Sequence, residues 1–262
     1  MNLPAPILLR NGSDWLSFAT PPHTVWATHI PSEVLPLLQA AEAARDQGAW
    51  IAGYVSYEAA PGINSALVTH PPDLDGPPLL WLAACDAPEY VNTPLPPESA
   101  TFSDPEWHPA WDRSRFTERV DAIHNWIAAG HTYQLNLTFP FTAEWAPDPR
   151  TLFAHMQVRH PAPHAGFIDT GRHAILSASP ELFVEQQGGQ LTMRPMKGTA
   201  PRHPCESRDQ AIAAALAQSE KDRAENIMIV DMVRNDLGRL ASPPTRRQTP
   251  APWLRLPQPA GC

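Results

Sequence analysis

The sequence predicts an α+β chain. Three observations carry that expectation. Short apolar runs alternate with proline-rich loops up to residue 85, a helical apolar stripe occupies residues 115–129, and a series of strands between residues 164 and 194 is followed by two helices. In order, strands are expected at Ile7–Arg10, Thr24–Ile30, Trp50–Tyr57 and Leu79–Ala84. A Leu/Ala-rich helix, Glu33–Gln47, interrupts them and ends before Gly48. Trp50, Tyr54 and Tyr57 read as core residues rather than a ligand cage. Residues 86–110 are proline-rich with few apolar clusters and read as a linker or long surface loop.

The helix at Arg115–Ala129 places Phe116, Val120, Ile123 and Ile127 on one stripe and stops at Gly130. Alternation over Thr132–Phe141 predicts a strand, and Leu152–His160 a helix. Strands follow at His164–Asp169, His173–Ser177 and Leu182–Gln186. Gln187-Gly-Gly-Gln190 is a hairpin turn into Leu191–Arg194. The last regular elements expected are helices at Arg208–Ala217 and Lys221–Asn235. Three segments are expected: an N-terminal subdomain with its proline-rich linker (1–110), a partial catalytic domain (111–241), and an irregular Pro/Arg-rich tail (242–262).

The formal net charge of −8 argues against nucleic acid or an anionic membrane as the main partner. Cys85, Cys205 and Cys262 are odd in number and far apart, without metal-binding spacing, so neither a disulfide framework nor a zinc site is expected. No basic, apolar leader opens the chain and no apolar run could span a bilayer, so a reducing, cytoplasmic location is expected.

Lysine usage is the sharpest chemical signal. Only two of the nineteen Lys and Arg residues are lysines, Lys197 and Lys221. Arg stays protonated, whereas a partly desolvated Lys can lose its proton and attack carbon. Lys221, between Glu220 and Asp222, reads as a surface residue. Lys197, in the tight segment Arg194-Pro-Met-Lys-Gly-Thr199, reads as chemistry. Asp222 and Glu225 are three apart and share a helix face. Such a pair can hold Mg²⁺, or it can simply complement the start of a helix. Glu181, in Ser179-Pro-Glu181 before a strand, is either an exposed carboxylate or a general acid. The glycines form neither GxGxxG nor a Walker loop, and there is no Gly-x-Ser-x-Gly elbow.

Five blocks, in order, resemble the chorismate-utilising enzymes. They are Gly53-Tyr-Val-Ser-Tyr-Glu-Ala59, Tyr133-Gln-Leu-Asn-Leu-Thr138, Ser177-Ala-Ser-Pro-Glu-Leu-Phe183, Arg194–Thr199 and Lys221–Arg239. The resemblance covers roughly residues 1–241 and is strongest from Arg115 onward. It implies two packed β-sheets flanked by helices. Within the family, Pro-Met-Lys-Gly-Thr and Tyr-Gln-Leu-Asn-Leu resemble the aminodeoxychorismate synthase component I branch. Anthranilate synthases typically carry Ala at the position of Lys197, and the water-using isochorismate and salicylate synthases carry a lysine at the position of Gln134.

By this resemblance Lys197 attacks C2 of chorismate, Glu181 protonates the departing C4 hydroxyl, and ammonia enters at C4. The product is 4-amino-4-deoxychorismate, a precursor of para-aminobenzoate and folate. Glu225 and Asp222 would help bind Mg²⁺, and Gly198, Thr199 and Gln134 would line the substrate pocket. A glutamine amidotransferase subunit would supply the ammonia. After Ala241 the tail departs from the family's pattern and has the look of a truncated or frameshifted reading frame. The expected functions are therefore amination of chorismate, a catalytically inactive remnant of that subunit, or, disfavoured by Lys197, anthranilate synthesis.

Overall fold

A computed structural model describes residues 7–92, 105–145 and 148–240. The chain begins with strands β1 (Ile7–Asn11), β2 (Asp14–Phe18) and β3 (Thr24–Thr28), then helix α1 (Pro31–Asp46) and strand β4 (Trp50–Val55). A 3-10 turn at Tyr57–Ala59 leads into the short helix α2 (Ala60–Ile63), strands β5 (Leu80–Cys85), β6 (Glu89–Val91) and β7 (His108–Pro109), and helix α3 (Arg113–Ala128). Strand β8 (Phe141–Thr142) and helix α4 (Pro149–Arg159) precede strands β9 (His164–Asp169), β10 (Ala174–Ser179), β11 (Leu182–Gln187) and β12 (Gln190–Arg194). Helices α5 (Glu206–Gln218) and α6 (Glu220–Leu240) complete the described chain. Contacts divide the described residues into two compact units, one of residues 7–92 and 149–194, the other of residues 105–145, 148 and 195–240.

The first unit is two packed β-sheets flanked by helices. One sheet has the order β10-β9-β1-β2-β6 and the other β3-β5-β4. Side chains alternate across each strand, so each sheet has two faces to cover. Ile7, Phe18 and Ile168 from the first sheet meet Ala52, Trp81, Ala83 and Cys85 from the second. The alternate positions Leu8, Trp15, Ala165 and Phe167 face away from them and pack with Phe153 of α4. On the far side of the second sheet, Leu80 and Leu82 pack with Val34 and Ala41 of α1. The central strand β5 is covered on both faces, and its whole Leu-Trp-Leu-Ala-Ala-Cys run is buried. The residue-by-residue apolar run that marks it in the sequence has this cause. Strands β11 and β12 form a separate hairpin whose turn, Gly188-Gly189, has φ of 54° and 80°. Two successive positive φ values are what a two-residue hairpin turn needs, and glycine supplies them without strain.

The second unit is helical, with one short strand pair, β7 against β8. Asp112 caps α3 by accepting from Arg115 N at 2.7 Å. Trp111, Phe139 and Phe141 form a stacked run, with centroids 5.0 Å and 5.3 Å apart. Among the described residues of this unit, no apolar side chain is fully buried.

Several expectations are corrected. The alternating stretch Thr132–Phe141 is not a strand; only Phe141–Thr142 pairs, with His108–Pro109. Alternation gives a strand only where a neighbour offers a ladder of backbone partners, and over residues 133–140 the one backbone bond to another segment runs from Ala110 N to Pro140 O at 2.9 Å. The region read as a linker contains β6, paired with β2, and β7; residues 93–104 lie outside the described residues. Strand β2 was not expected, although Asn11-Gly12 precedes it at a hairpin turn. Tyr54 packs against the inter-sheet core as expected, but Trp50 is largely exposed and Tyr57 is 81% exposed. Trp50 ends the edge strand β4, and Tyr57 lies beyond its last paired residue. The tail from residue 242 lies outside the described residues.

Candidate active site

The Lys-Gly-Thr segment leaves β12 and runs without regular structure toward α5. Lys197 is half-buried, Gly198 likewise, and Thr199 exposed. Lys197 makes no hydrogen bond or ion pair with another described residue. Gly198 has φ of 75°, where a side chain is strained. A Cβ at this position would also lie 2.9 Å from Cβ and Oδ1 of Asp222 and 3.0 Å from its Cγ. Glycine is therefore required twice, by backbone and by packing, and its small size brings the Lys197 segment directly onto the first turn of α6.

That turn carries the acids. Asp222 N donates to Ser219 Oγ at 3.3 Å, which secures the start of the helix. Glu225 is one turn on and mostly shielded, with Oε1 3.7 Å from Nζ of Lys221. Lys221 itself is 82% exposed, the surface role its neighbours in sequence indicated. Beyond them Asp231 pairs with Arg234 at 3.3 Å. Asn226, four residues from Asp222 and so on the same helix face, was not singled out from the sequence. Its Oδ1 is buried with no hydrogen-bond partner. A buried acceptor without a donor is costly, and such atoms in native proteins call for an external partner.

Gln134 belongs to the same unit. Its carbonyl oxygen accepts from Thr132 Oγ1 at 2.9 Å, and its side-chain Oε1 is a second buried acceptor without a partner. Glu181 belongs to the first unit, at the entrance to β11, where Ser179 Oγ donates to its carbonyl oxygen at 3.1 Å. The structure thus joins Lys197, Gly198 and Thr199 to Asp222 and Glu225 through one close contact. Gln134 shares the second unit with that cluster, and Glu181 belongs to the first.

Among the described residues no group of three His, Cys, Asp or Glu is placed to hold a metal ion. Mg²⁺ commonly takes one or two carboxylates and keeps several waters. Asp222 and Glu225 on one face, beside the orphaned oxygen of Asn226, fit such a partly hydrated ion.

The family described as chorismate binding enzyme matches residues 19–252. The chain belongs to this family. The match extends past Ala241 into the tail. Among relatives, aminodeoxychorismate synthase component 1 of Klebsiella aerogenes is 38% identical over 166 residues, 63% of this chain and 35% of the relative. Anthranilate synthase component 1 of Streptomyces coelicolor is 38% identical over 143 residues, 54% of this chain and 28% of the relative. The chain therefore spans about a third of the length of the curated relatives it matches. Among solved structures, anthranilate synthase component I from Streptococcus pneumoniae superposes with a TM-score of 0.68 at 19% identity, covering 91% of this chain and 63% of that one. A 2,3-dihydroxybenzoate-specific isochorismate synthase from Bacillus anthracis gives 0.66 at 16% identity, covering 90% and 60%. At these identities the superpositions establish the chorismate-utilising fold. No helix among the described residues is long and apolar enough to cross a membrane.

Proposed function

We propose that the chain carries the nucleophile and metal-binding acids of an aminodeoxychorismate synthase component I. The contact of Gly198 with Asp222 carries this reading, because it sets the Lys197 segment on the acidic turn of α6. Lys197 Nζ, half-buried and unpaired among the described residues, forms a bond to C2 of chorismate. Both ring double bonds shift toward C4, the C4–O bond breaks, and the hydroxyl leaves as water with a proton from Glu181. Ammonia from a glutamine amidotransferase partner then bonds to C4, the double bonds shift back, and the Lys197 amine departs. The covalent adduct divides one hard substitution into two easier steps. Asp222 and Glu225 would hold Mg²⁺, which when bound would neutralise the substrate carboxylate. Gly198, Thr199 and Gln134 line the pocket, and the orphaned Oε1 of Gln134 offers an acceptor there.

A second reading, anthranilate synthesis, is favoured by the Streptomyces coelicolor relative at the same identity. Lys197 speaks against it. The test is to incubate the chain with chorismate, Mg²⁺ and an ammonium salt, then analyse products and intact protein by mass spectrometry. The proposal expects a chorismate-derived mass increment on Lys197 that Lys197→Arg and Lys197→Ala lose, Arg failing because it cannot deprotonate. An increment that persists in Lys197→Arg would remove the role. Anthranilate as the sole aminated product would support the second reading. Absence of both adduct and chorismate binding would leave a non-catalytic remnant.

A further inference from the structure

Outside the residues already assigned, the second unit holds one buried charged side chain, Asp209, at 7% exposure. It lies in the first turns of α5 and points back at the segment that carries Lys197. Its Oδ1 accepts from Arg202 Nε at 2.9 Å and from the backbone N–H of His203 at 2.9 Å. Its Oδ2 accepts from Arg202 Nη2 at 2.9 Å and from Nε at 3.2 Å. The chain then turns into α5: Cys205 N donates to His203 Nδ1 at 3.0 Å, and Asp209 N donates to Cys205 O at 3.0 Å.

Asp209 is desolvated while Arg202 keeps 31% of its side chain in water, so the pair is weak as a source of stability alone. What the two-pronged Arg–carboxylate geometry supplies is direction. The segment from Pro195 to Pro204 has no regular structure and no ladder of backbone bonds to fix it. Two contacts with the helices hold it. At one end Gly198 packs on Asp222 of α6. Four residues later Arg202 and His203 are tied to Asp209 of α5. Lys197 projects from the end of this doubly anchored span.

We propose that Asp209, acting through Arg202 and His203, is the positioning residue that holds the Lys197–Thr199 span against α6. The proposal deepens the chorismate reading and rests on it for the role of Lys197. Asp209 touches neither Lys197 nor, in that reading, the substrate. Its effect is to remove the freedom of a loop that would otherwise present its amine in many orientations. The spacing of seven residues between Arg202 and Asp209 carries no motif, so the pair is visible only in the folded chain.

The experiment compares the unsubstituted chain with Asp209→Asn and Arg202→Gln. Amide hydrogen exchange is followed over residues 195–203 and separately over α5. In parallel, an amine-reactive probe, trinitrobenzenesulfonate, reads the ratio of labelling at Lys197 to labelling at Lys221. With only these two lysines, Lys221 is an internal standard. The proposal expects exchange over 195–203 to rise about tenfold or more in both variants. Exchange over residues 210–218 should change far less, and the Lys197:Lys221 ratio should rise. Arg202→Lys, which keeps the charge but not the fork, should give only partial rescue.

Equal acceleration of loop and helix would make Asp209 an ordinary helix-stabilising residue and overturn the proposal, as would no change in either segment. Loss of the helical signal in both variants would make Asp209 a folding residue and overturn it too. The mass increment of the unsubstituted chain on chorismate is scored independently. Its absence sinks the chorismate reading and leaves the anchoring of the loop intact, whereas unchanged exchange sinks the anchoring and leaves that reading intact.

Discussion

The two units differ in how they use apolar residues. In the first, three buried clusters fill the space between the sheets and under α1 and α4. Its central strand β5 is apolar throughout because both of its faces meet a packed layer. In the second, α3 and α6 carry apolar stripes with no buried member. Phe116 is 42% exposed, Ile227 59% and Met232 62%. An amphipathic helix gains most of its stability by burying its apolar face, and here that gain is small. The difference teaches where the candidate residues lie relative to the buried core. Lys197, Asp222, Glu225 and Gln134 belong to the thinly packed unit, and Glu181 belongs to the densely packed one.

The largest expected effect tests that contrast directly. Phe167 is 1% exposed and packs with Phe153 at a centroid distance of 5.6 Å. Phe167→Ala should destabilise the first unit by about 3–5 kcal/mol, the range for a core aromatic. Phe116→Ala should cost under about 1 kcal/mol, since its ring is already partly in water. Urea unfolding followed by circular dichroism reads both. Equal losses would show that the second unit has a core of comparable quality.

A smaller effect sharpens the link between α6 and the Lys197 segment. Gly198→Ala should cost about 1–2 kcal/mol, from the left-handed backbone and from contact with Asp222. It should also weaken Mg²⁺ binding to α6, read by isothermal titration, while the unfolding of the first unit is unchanged. A Gly198→Ala chain that bound Mg²⁺ as the parent does would show that the segment and the acids act separately.

The smallest effect is a pH dependence confined to the first unit. Burial raises the Cys85 thiol above its ordinary value, with the Asp86 charge adding to it. Burial likewise raises the Tyr54 phenol, whose oxygen is enclosed without a partner. Both groups are neutral in the fold and ionise more readily once unfolded. Their contribution is therefore fully present below the ordinary thiol and phenol values. It is lost as pH rises through the raised folded ones. The urea midpoint of the first unit should fall on the alkaline side of those ordinary values, and Cys85→Ala should remove part of that slope. A midpoint flat across this range would contradict the buried, neutral assignment. Cys205 offers a control of opposite sign: it is exposed, and a hydrogen bond with Ser207 lowers its thiol. It should alkylate at lower pH than Cys85, and Ser207→Ala should move that reaction upward.

The sequence by itself determined the family and the elements whose signal is local. The Gly188-Gly189 turn is legible because two positive φ values exclude most other residues. Strand β5 is legible because a strand covered on both faces must be apolar throughout. Lys197 is legible as a candidate because it stands in a recognisable block, and Asp222 and Glu225 because they share a helical spacing. Only the tertiary structure decided what depends on a distant partner. Strand β1 pairs with β9 across most of the chain, through Ile7 and Ile168, and no local pattern encodes that choice. Residues 132–141 alternate like a strand yet form none beyond Phe141, because hydrogen-bond partners come from a neighbour and not from the segment itself. The seating of Gly198 on Asp222 and the grip of Asp209 on Arg202 arise in the same way. Each is a close approach between segments, set by packing and geometry rather than by residue type.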